Sequence, residues 1–449
     1  MSHADSRPAT LPLPPPAYRW IVLLFISLAM FGNYYVYDSL GPVIDLLQTQ
    51  LEFSDTRTGL LISIYNLAAI IALIFGGVII DRIGTKRAIA LFALICVVGA
   101  AMIAATPKYE VMLAGRFVLG IGAEPMIVAA ITALAKWFRG KELSLAFGIN
   151  LSISRLGSAS ADWSTSFAAP LYANWQDPLW LATAIAGVAV SMALLYWMLE
   201  RRAENHYQLG AEGAHEKLSL KDLFSFPKSF WYVVALCVVF YSAIFPFRTF
   251  AINYFQQAHG LDRETAGLLS SMLPMAAIVA TPFFGLLVDK VGKRALMMMG
   301  GALVMLPLFL IVTYAPAGPE VTLFIPFIAS AQVPLNLLVS IILIGVVFSL
   351  IPAVLWPSVA YIVDDRRLGS AYALMTLCQQ VGWFFVPLVI GALNDAFQAS
   401  AENPDGYAAG MWFYTFLASL GLVFAWLLYR SEKGPGGHGL ETITTKTGA

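Results

Sequence analysis

One stretch of this chain occurs twice, 208 residues apart. The segment Gly77–Gly84 (Gly-Val-Ile-Ile-Asp-Arg-Ile-Gly) matches Gly285–Gly292 (Gly-Leu-Leu-Val-Asp-Lys-Val-Gly), and basic residues follow both. Between residues 59 and 84, twelve of 26 positions are identical to those 208 residues later. Because a repeat of this length duplicates a whole structural unit, the chain is predicted to contain two similar halves in series.

The apolar content places both halves in a membrane. Hydrophobic residues make up 59% of the chain and charged residues 12%, with a mean hydropathy of +0.74. Stretches long enough to cross a bilayer, about 20 residues each, begin near residues 19, 57, 86, 109, 141, 178, 230, 264, 293, 335, 367 and 408. These stretches predict an all-α membrane protein with twelve transmembrane helices in two six-helix pseudo-symmetric halves. Segment 320–333 is too short and too rich in flanking proline for a further span, so we expect an outer loop or an interfacial segment there.

The basic residues predict the orientation of the chain. With the N-terminus in the cytoplasm, 21 of the 27 Lys and Arg residues lie in cytoplasmic segments, which predicts that both termini are cytoplasmic. The predicted divisions are a disordered tail (1–18), a first half (19–199), a cytoplasmic linker (200–228), a second half (229–431) and a C-terminal tail (432–449). Within the linker, 218–226 is predicted to form either a short amphipathic helix on the membrane surface or an ordered loop.

Two charged residues are expected near the middle of the bilayer, where a charge costs about 2.5–3.5 kcal/mol and therefore needs a reason. Glu124 lies twelve residues before Lys136, and Arg155 lies fourteen after Lys141. At about 1.5 Å per residue, both are roughly 18–21 Å from the cytoplasmic ends of their spans. A carboxylate suits a ligand ammonium, and a guanidinium suits a ligand carboxylate. The alternative is a salt bridge between the two residues that only locks the spans together.

Four other charged residues within spans are expected nearer the outer face: Asp38, Arg116, Asp162 and Arg248. Asp38 and Arg116 form either an ion pair that acts as an outer gate or a pair of interfacial side chains that reach towards water. Arg248 follows Phe245-Pro246-Phe247, where the proline frees backbone groups. It is predicted to add a second contact to a ligand carboxylate or to have a structural role.

The repeated Gly-x-x-x-Asp-Arg/Lys-x-Gly-x-Lys/Arg element resembles the signature loop of the major facilitator superfamily. Further motifs resemble the branch that contains the animal lysosomal dipeptide uniporter, over about residues 20–430: Tyr37-Asp38, Arg116–Glu124, Trp137–Leu143, Ser154–Ser158, Phe245–Phe247, Trp356-Pro357 and Leu368–Tyr372. Segment 320–333, Arg248 and the two tails do not fit that pattern. The resemblance implies that Glu124 and Arg155 hold the two ends of a peptide. Tyr37, Asn150, Trp356 and Gln379 are the remaining candidates for substrate contacts.

The signature loops are predicted to act as gate latches. If the halves pack as in the superfamily, Asp81 faces the N-terminus of span eleven at 368–370, where a helix dipole favours negative charge. Asp289 is expected to mirror this contact at the start of span five, at 143–144. The glycines are expected to allow close approach of helices. The predicted gating residues are Gly77, Asp81, Arg82, Gly84, Arg87, Gly285, Asp289, Lys290, Gly292 and Arg294.

Together these features predict a secondary transporter that moves dipeptides by rocker-switch alternating access. Uniport is favoured if Arg155 lies within about 4–6 Å of Glu124, because that charge opposes protonation. The alternatives are a proton-coupled carrier of organic anions or amphiphilic drugs, in which Glu124 is the proton site, and a membrane sensor that does not transport. The duplicated latches disfavour the sensor.

Other classes are disfavoured by what the sequence lacks. It has no Gly-rich phosphate loop of the ATP-hydrolysing type and no His, Cys or Asp cluster with metal-ligand spacing. Its three cysteines lie within spans, which argues against disulfides. We therefore expect no enzyme activity, cofactor, metal or nucleic-acid partner. The expected partners are the lipid bilayer and a small molecule, with a monomeric protein in the plasma (inner) membrane of a bacterium or a lysosomal-type membrane of an animal. The sequence leaves open the substrate's side-chain preference, the transport direction and any accessory subunit.

Overall fold

The structure, a computed structural model, describes residues 12, 14–138, 142–209, 226–316, 318–364 and 367–444. Helices dominate this part of the chain. In chain order the elements are α1 (Pro16–Asp38), α2 (Ile44–Leu51), α3 (Asp55–Ile83), α4 (Thr85–Ala105), α5 (Tyr109–Phe138), α6 (Leu143–Phe167), α7 (Gln176–Glu204), α8 (Lys228–His259), α9 (Arg263–Val291), α10 (Arg294–Tyr314), β1 (Glu320–Ile325), β2 (Ala329–Pro334), α11 (Leu335–Ile362), α12 (Leu368–Ala396) and α13 (Ala408–Lys433).

Twelve long helices lie where the sequence predicted spans. Within the described residues, eleven helical segments are long and apolar enough to cross a membrane. The remaining long helix is α6, whose sequence is interrupted by several serines and is therefore less apolar. The predicted helical membrane fold is confirmed, and the chain is a multi-pass membrane protein. The 218–226 prediction falls almost entirely on residues outside the described part, as do 1–11, 13 and 445–449 of the predicted tails.

The helices alternate in direction, so their connections divide between two faces. The N-terminus lies beside the end of α7, where the Tyr18 hydroxyl donates to the Leu199 carbonyl at 2.7 Å. The start of α8 lies beside the end of α13, where the Ser229 and Ser431 hydroxyls are 2.9 Å apart. We call this the terminal face. The opposite face carries strands β1 and β2, and we call it the hairpin face.

Segment 320–333 forms an antiparallel β-hairpin, with Val321 opposite Val333 and Ile325 opposite Ala329. The hairpin connects α10 to α11, so this segment is a connection rather than a span, as predicted. Ile325 packs into a cluster with Trp163 and Leu268 at the junction of α6 and α9. The regular strand pairing was not predicted from the sequence.

Two repeated glycines allow the halves to pack closely. Gly59 of α3 lies against the backbone of Pro387 in α12, and its repeat partner Gly267 of α9 lies against Thr165 in α6. Neither position has room for a Cβ atom. A small residue at a crossing lets two membrane helices approach at the backbone. The same sequence repeat therefore supports the two crossings α3–α12 and α6–α9, which join the halves.

Candidate functional site

Glu124 and Arg155 lie at the middle of their helices. Glu124 is fifteen residues from the start of α5 and fourteen from its end, and Arg155 is twelve residues from either end of α6. Both side chains are partly buried rather than fully enclosed. A charged group at this depth, with some accessible surface, is positioned to meet a ligand between the two halves.

The Glu124 carboxylate is bound by polar side chains from both halves. The Tyr65 hydroxyl of α3 donates to Glu124 Oε1 at 3.1 Å. From the other half, the Gln380 side chain of α12 also hydrogen bonds to this carboxylate. Both partners are uncharged, so the negative charge of Glu124 is not neutralised by them. The site therefore presents a carboxylate that a cationic group can approach.

Arg155 contacts the second half rather than Glu124. Its Nη1 donates to the Ala277 carbonyl at 3.1 Å and to the Thr281 hydroxyl at 2.7 Å, both on α9. Its guanidinium carbon lies 5.3 Å from the centre of the Phe348 ring. In the described part of the chain no ion pair joins Arg155 to Glu124, so the locking salt bridge considered from sequence is wrong. Because both hydrogen bonds use Nη1, the opposite edge of the guanidinium is available to a carboxylate.

Aromatic side chains of the second half form a cluster beside Arg155. Phe245 packs 4.4 Å from Trp383 and 5.5 Å from Phe348, measured between ring centres, and Tyr241 stacks on Phe245 at 5.8 Å. Since Phe348 also contacts Arg155, this aromatic cluster (Tyr241, Phe245, Phe348 and Trp383) lies beside the cationic end of the site. Tyr34 of α1 lies within electrostatic range of both Glu124 and Arg155.

Two of the predicted substrate contacts, Gln379 and Asn150, point away from the two central charges. Gln379 is buried, and its amide oxygen accepts a weak hydrogen bond from the Cys237 thiol at 3.6 Å, whereas its neighbour Gln380 faces Glu124. Asn150 is also buried, and the Ser27 hydroxyl donates to it at 3.1 Å within the first half. Adjacent helical positions differ by about 100° in direction, so a correct depth does not fix the correct residue.

Tyr37 and Trp356 lie at the margins of the site. Tyr37 packs against Tyr65 at 4.8 Å and lies under the Arg116 guanidinium. Trp356 is only six residues from the end of α11, so it lies nearer the terminal face than Glu124 and Arg155 do. Its indole N–H donates to the Tyr241 hydroxyl at 2.9 Å, which links it to the aromatic cluster.

Of the two arrangements expected for Asp38 and Arg116, the ion pair is wrong, and neither side chain reaches towards water because both are buried. Asp38 instead pairs with Arg248, which also donates to Asp162 at 3.1 Å. All three side chains are buried, and Asp38 and Asp162 belong to the first half while Arg248 belongs to the second. Arg116 donates to the Leu61 carbonyl at 3.1 Å. Because both its carboxylate partners are protein groups, Arg248 is a structural link between the halves and not a free contact for a ligand carboxylate.

More contacts between the halves lie on the hairpin-face side of the site. Asp395 of α12 accepts from the backbone N–H groups of Asp55 and Thr56, both at 2.9 Å, at the first turn of α3. Arg263 at the start of α9 pairs with Asp45 of α2. Arg248, Asp38 and Asp162 form a third such contact, which we call the Arg248 triad. Together these contacts close the site towards the hairpin face.

The predicted gating residues lie at the terminal face. Gly84 and Gly292 end α3 and α9 with φ of 80° and 68°, a conformation that favours glycine. Asp289 is largely exposed and lies 3.7 Å from Arg294 of its own loop, while Arg294 is buried and donates to the Ile443 carbonyl at 2.7 Å. Of the predicted gating residues, those with exposed side chains are Asp81, Arg82, Arg87, Asp289 and Lys290.

Sequence comparison identifies the family. The profile of the Major Facilitator Superfamily matches residues 26–330 and 247–444, which together span most of the chain. The chain belongs to the Major Facilitator Superfamily. It is 29% identical to the lysosomal dipeptide transporter MFSD1 of Homo sapiens over 437 residues, covering 94% of this chain and 88% of that protein. The Bos taurus protein of the same name is also 29% identical, over 442 residues and with 94% and 87% coverage.

More distant members of the superfamily are also similar. A probable sulfoacetate transporter of Cupriavidus necator is 23% identical, covering 84% of this chain and 87% of that protein. A crystal structure of a bacterial homolog of the human lysosomal transporter Spinster, inward-facing and unoccupied, superposes with a TM-score of 0.76 at 15% identity, covering 93% and 98% of the two chains. A D-xylose–proton symporter gives a TM-score of 0.69 at 16% identity, with 91% and 97% coverage. The last two comparisons show the shared fold. The named relatives are transporters, so the prediction that this superfamily member is not an enzyme is confirmed.

Three residues that bind or flank the central charges were not among the predicted contacts: Tyr34, Tyr65 and Gln380. Each is a polar residue within a span, which is the one signal that the sequence offered. α3 and α5 run in the same direction, and only their packing against one another brings the Tyr65 hydroxyl to Glu124. Tertiary packing was needed to select these residues from the other polar residues of the spans.

Proposed function

We propose that this protein is a dipeptide transporter that works by alternating access, without coupling to an ion. The observation that carries the proposal is the separation of Glu124 from Arg155, which engage different helices and do not neutralise one another. A dipeptide is a zwitterion whose ammonium and carboxylate lie about one or two Cα–Cα steps of 3.8 Å apart. Each of its charges meets its opposite in this site.

The surroundings of the two charges suit a ligand with variable side chains. The aromatic cluster offers apolar surface beside Arg155, and its four members carry no charge that would select one ligand side chain. Specificity therefore comes from the two ends of the ligand. The 29% identity to lysosomal dipeptide transporters over nearly the whole chain supports the same substrate class.

Alternating access is supported by the distribution of contacts between the halves. The Asp395–α3 contact, the Arg263–Asp45 pair and the Arg248 triad lie on the hairpin-face side of the site. We propose that these contacts break when the site opens to the hairpin face, and that the signature loops then close the terminal face. Following the distribution of basic residues, we place the terminal face in the cytoplasm.

Uniport requires that Glu124 keep its charge without an ion pair to Arg155. Arg155 donates to α9 and does not pair with Glu124, so it is not the group that keeps the carboxylate charged. We propose that the hydrogen bonds from Tyr65 and Gln380 favour the charged carboxylate of Glu124 against the cost of its burial, and that the ligand ammonium stabilises the carboxylate further by pairing with it. Uptake into proteoliposomes with and without an imposed proton gradient distinguishes the two modes. Accumulation above the external concentration that depends on the gradient contradicts uniport.

The substrate class is tested by competition binding with one dipeptide in three forms: free, N-acetylated and C-amidated. Both blocked forms are expected to bind at least about tenfold more weakly than the free form, because each leaves a charge of the site unpaired. Equal binding of the N-acetylated form, combined with loss on C-amidation, indicates an organic-anion carrier instead. That second candidate is favoured by the similarity to a probable sulfoacetate transporter and by the available edge of Arg155.

A further inference from the structure

The crossing of α3 and α12 beside Glu124 contains two buried amide oxygens without a hydrogen-bond partner. Within the described residues, neither Asn66 Oδ1 nor Gln380 Oε1 is bonded, although each side chain is only 1% exposed. A buried acceptor without a donor costs about 1–3 kcal/mol, so such atoms in a folded protein need an explanation. Two of them at one helix crossing indicate that a donor belongs there.

The nitrogen atoms of these amides fix where the oxygen atoms point. Asn66 Nδ2 donates to the backbone carbonyl of Trp383 at 3.0 Å, across the boundary between the halves. The Gln380 side chain hydrogen bonds to the Glu124 carboxylate, which can only accept, so its amide nitrogen is the donor. In both side chains the nitrogen is used by the protein, and the oxygen is the atom left for a ligand.

We infer that Asn66 and Gln380 complete a seat for the ammonium group of the substrate, with Glu124 as its charged member. This inference rests on the proposed function. An ammonium group carries three N–H donors and no acceptor. The seat offers a carboxylate and two amide oxygens, which matches three donors and also neutralises the charge. A protonated primary amine, such as a peptide N-terminus, is therefore the ligand group that Glu124, Asn66 and Gln380 together bind.

The seat is assembled from both halves of the protein. Glu124 and Asn66 belong to α5 and α3 of the first half, and Gln380 belongs to α12 of the second. An amine bound here links the halves directly at the α3–α12 crossing. A ligand without the amine loses this link, so Gln380 determines specificity for the amino terminus and not for the rest of the ligand.

The test uses Gln380→Met, which keeps the length of the side chain and removes both the acceptor oxygen and the N–H group that donates to Glu124. Gln379→Met on the same helix is the matched control, because Gln379 faces Cys237 and not Glu124. The probes are alanyl-alanine and propanoyl-alanine, which differ only in the ammonium group. Affinities are measured by calorimetry on the purified full-length protein, and melting temperatures establish that each variant is folded. If Gln380→Met is not monodisperse, Gln380→Ala removes the same acceptor without adding bulk.

We expect Gln380→Met to weaken alanyl-alanine binding about tenfold or more, because a hydrogen bond to a charged group is lost. Propanoyl-alanine should bind Gln380→Met and the unmodified protein equally, and Gln379→Met should leave both affinities unchanged. Equal loss of both probes, or loss of neither, overturns the inference and leaves the dipeptide proposal standing. Failure of the unmodified protein to bind alanyl-alanine overturns the proposed function and this inference together.

Discussion

Asp395 at the end of α12 caps the helix that begins at Asp55 in the other half of the molecule. Its two carboxylate oxygens accept from the backbone N–H groups of Asp55 and Thr56, both at 2.9 Å. The first N–H groups of a helix have no partner within the helix and carry a partial positive charge, so a carboxylate placed there is stabilising. This cap holds α3 and α12 together at the hairpin face, as Asp81 was predicted to do at the terminal face.

Asp395→Asn should shift the protein towards a state that is open at the hairpin face. Losing a charged cap costs about 1 kcal/mol, which corresponds to roughly a fivefold change in the equilibrium between states. Spin labels at positions 110 and 402, in a background without the native cysteines, report the separation of the two halves on this face by pulsed electron resonance. Asp405→Asn, an exposed residue on the same face, is the control. An unchanged distance distribution in Asp395→Asn argues against the cap as a latch.

Arg248→Met should lower stability severely. It leaves Asp38 and Asp162 buried without their shared cation, which costs about 3–5 kcal/mol when one partner of a buried ion pair is removed. The combined variant D38N/D162N/R248M should recover much of that loss. Thermal unfolding of the purified proteins is the measurement, with Arg57→Met as the exposed control. A variant that keeps its stability but loses ligand affinity contradicts the structural role and restores Arg248 as a substrate contact.

Arg155→Lys should weaken binding of a free dipeptide about tenfold or more, because an ammonium group cannot reproduce the two parallel hydrogen bonds of a guanidinium. The same substitution should have little effect on a C-amidated dipeptide, which lacks the carboxylate. Competition binding against both ligands separates a direct contact from a general loss of structure. Arg57→Lys is the control for the change in residue type. Equal losses for the two ligands exclude Arg155 as the carboxylate contact.

Asp81→Asn should reduce transport by about twofold to fivefold while substrate binding in detergent survives. The reason is the loss of a carboxylate that is predicted to meet the N-terminus of α12 when the terminal face closes, an interaction of about 0.3–1 kcal/mol. Initial uptake rates in proteoliposomes, compared with calorimetric affinities, check both parts. Transport at the rate of the unmodified protein contradicts the latch.

The predicted orientation is tested with cysteines at positions 108 and 217, again in a cysteine-free background. Lys108 lies between α4 and α5 on the hairpin face, and position 217 lies in the predicted linker. A thiol reagent that does not cross membranes should label 108 from outside intact cells and 217 only after permeabilisation. Labelling of both from one side rules out the predicted topology.

The sequence alone determined the fold because its signals are local and repeated. Twenty apolar residues in a row specify a membrane helix wherever they occur, and the 208-residue repeat specifies two halves. Depth is also local, since residues accumulate along a helix at a constant rise. The midplane positions of Glu124 and Arg155 and the outer positions of Asp38, Asp162 and Arg248 could therefore be predicted by counting.

Only the tertiary structure decided which side chains meet. Asp38 was expected either to pair with Arg116 or to reach towards water at the interface, and it pairs with Arg248 instead. Gln379 was predicted as a substrate contact, whereas its neighbour Gln380 faces Glu124. Both errors concern rotation about helix axes and the neighbours of each helix, not depth. A change of one residue turns a side chain by about 100°, and a transmembrane sequence that is apolar on several sides does not fix that angle. Packing at small residues such as Gly59 and Gly267 fixes the rotation of each helix, because it sets which faces of α3, α6, α9 and α12 are in contact.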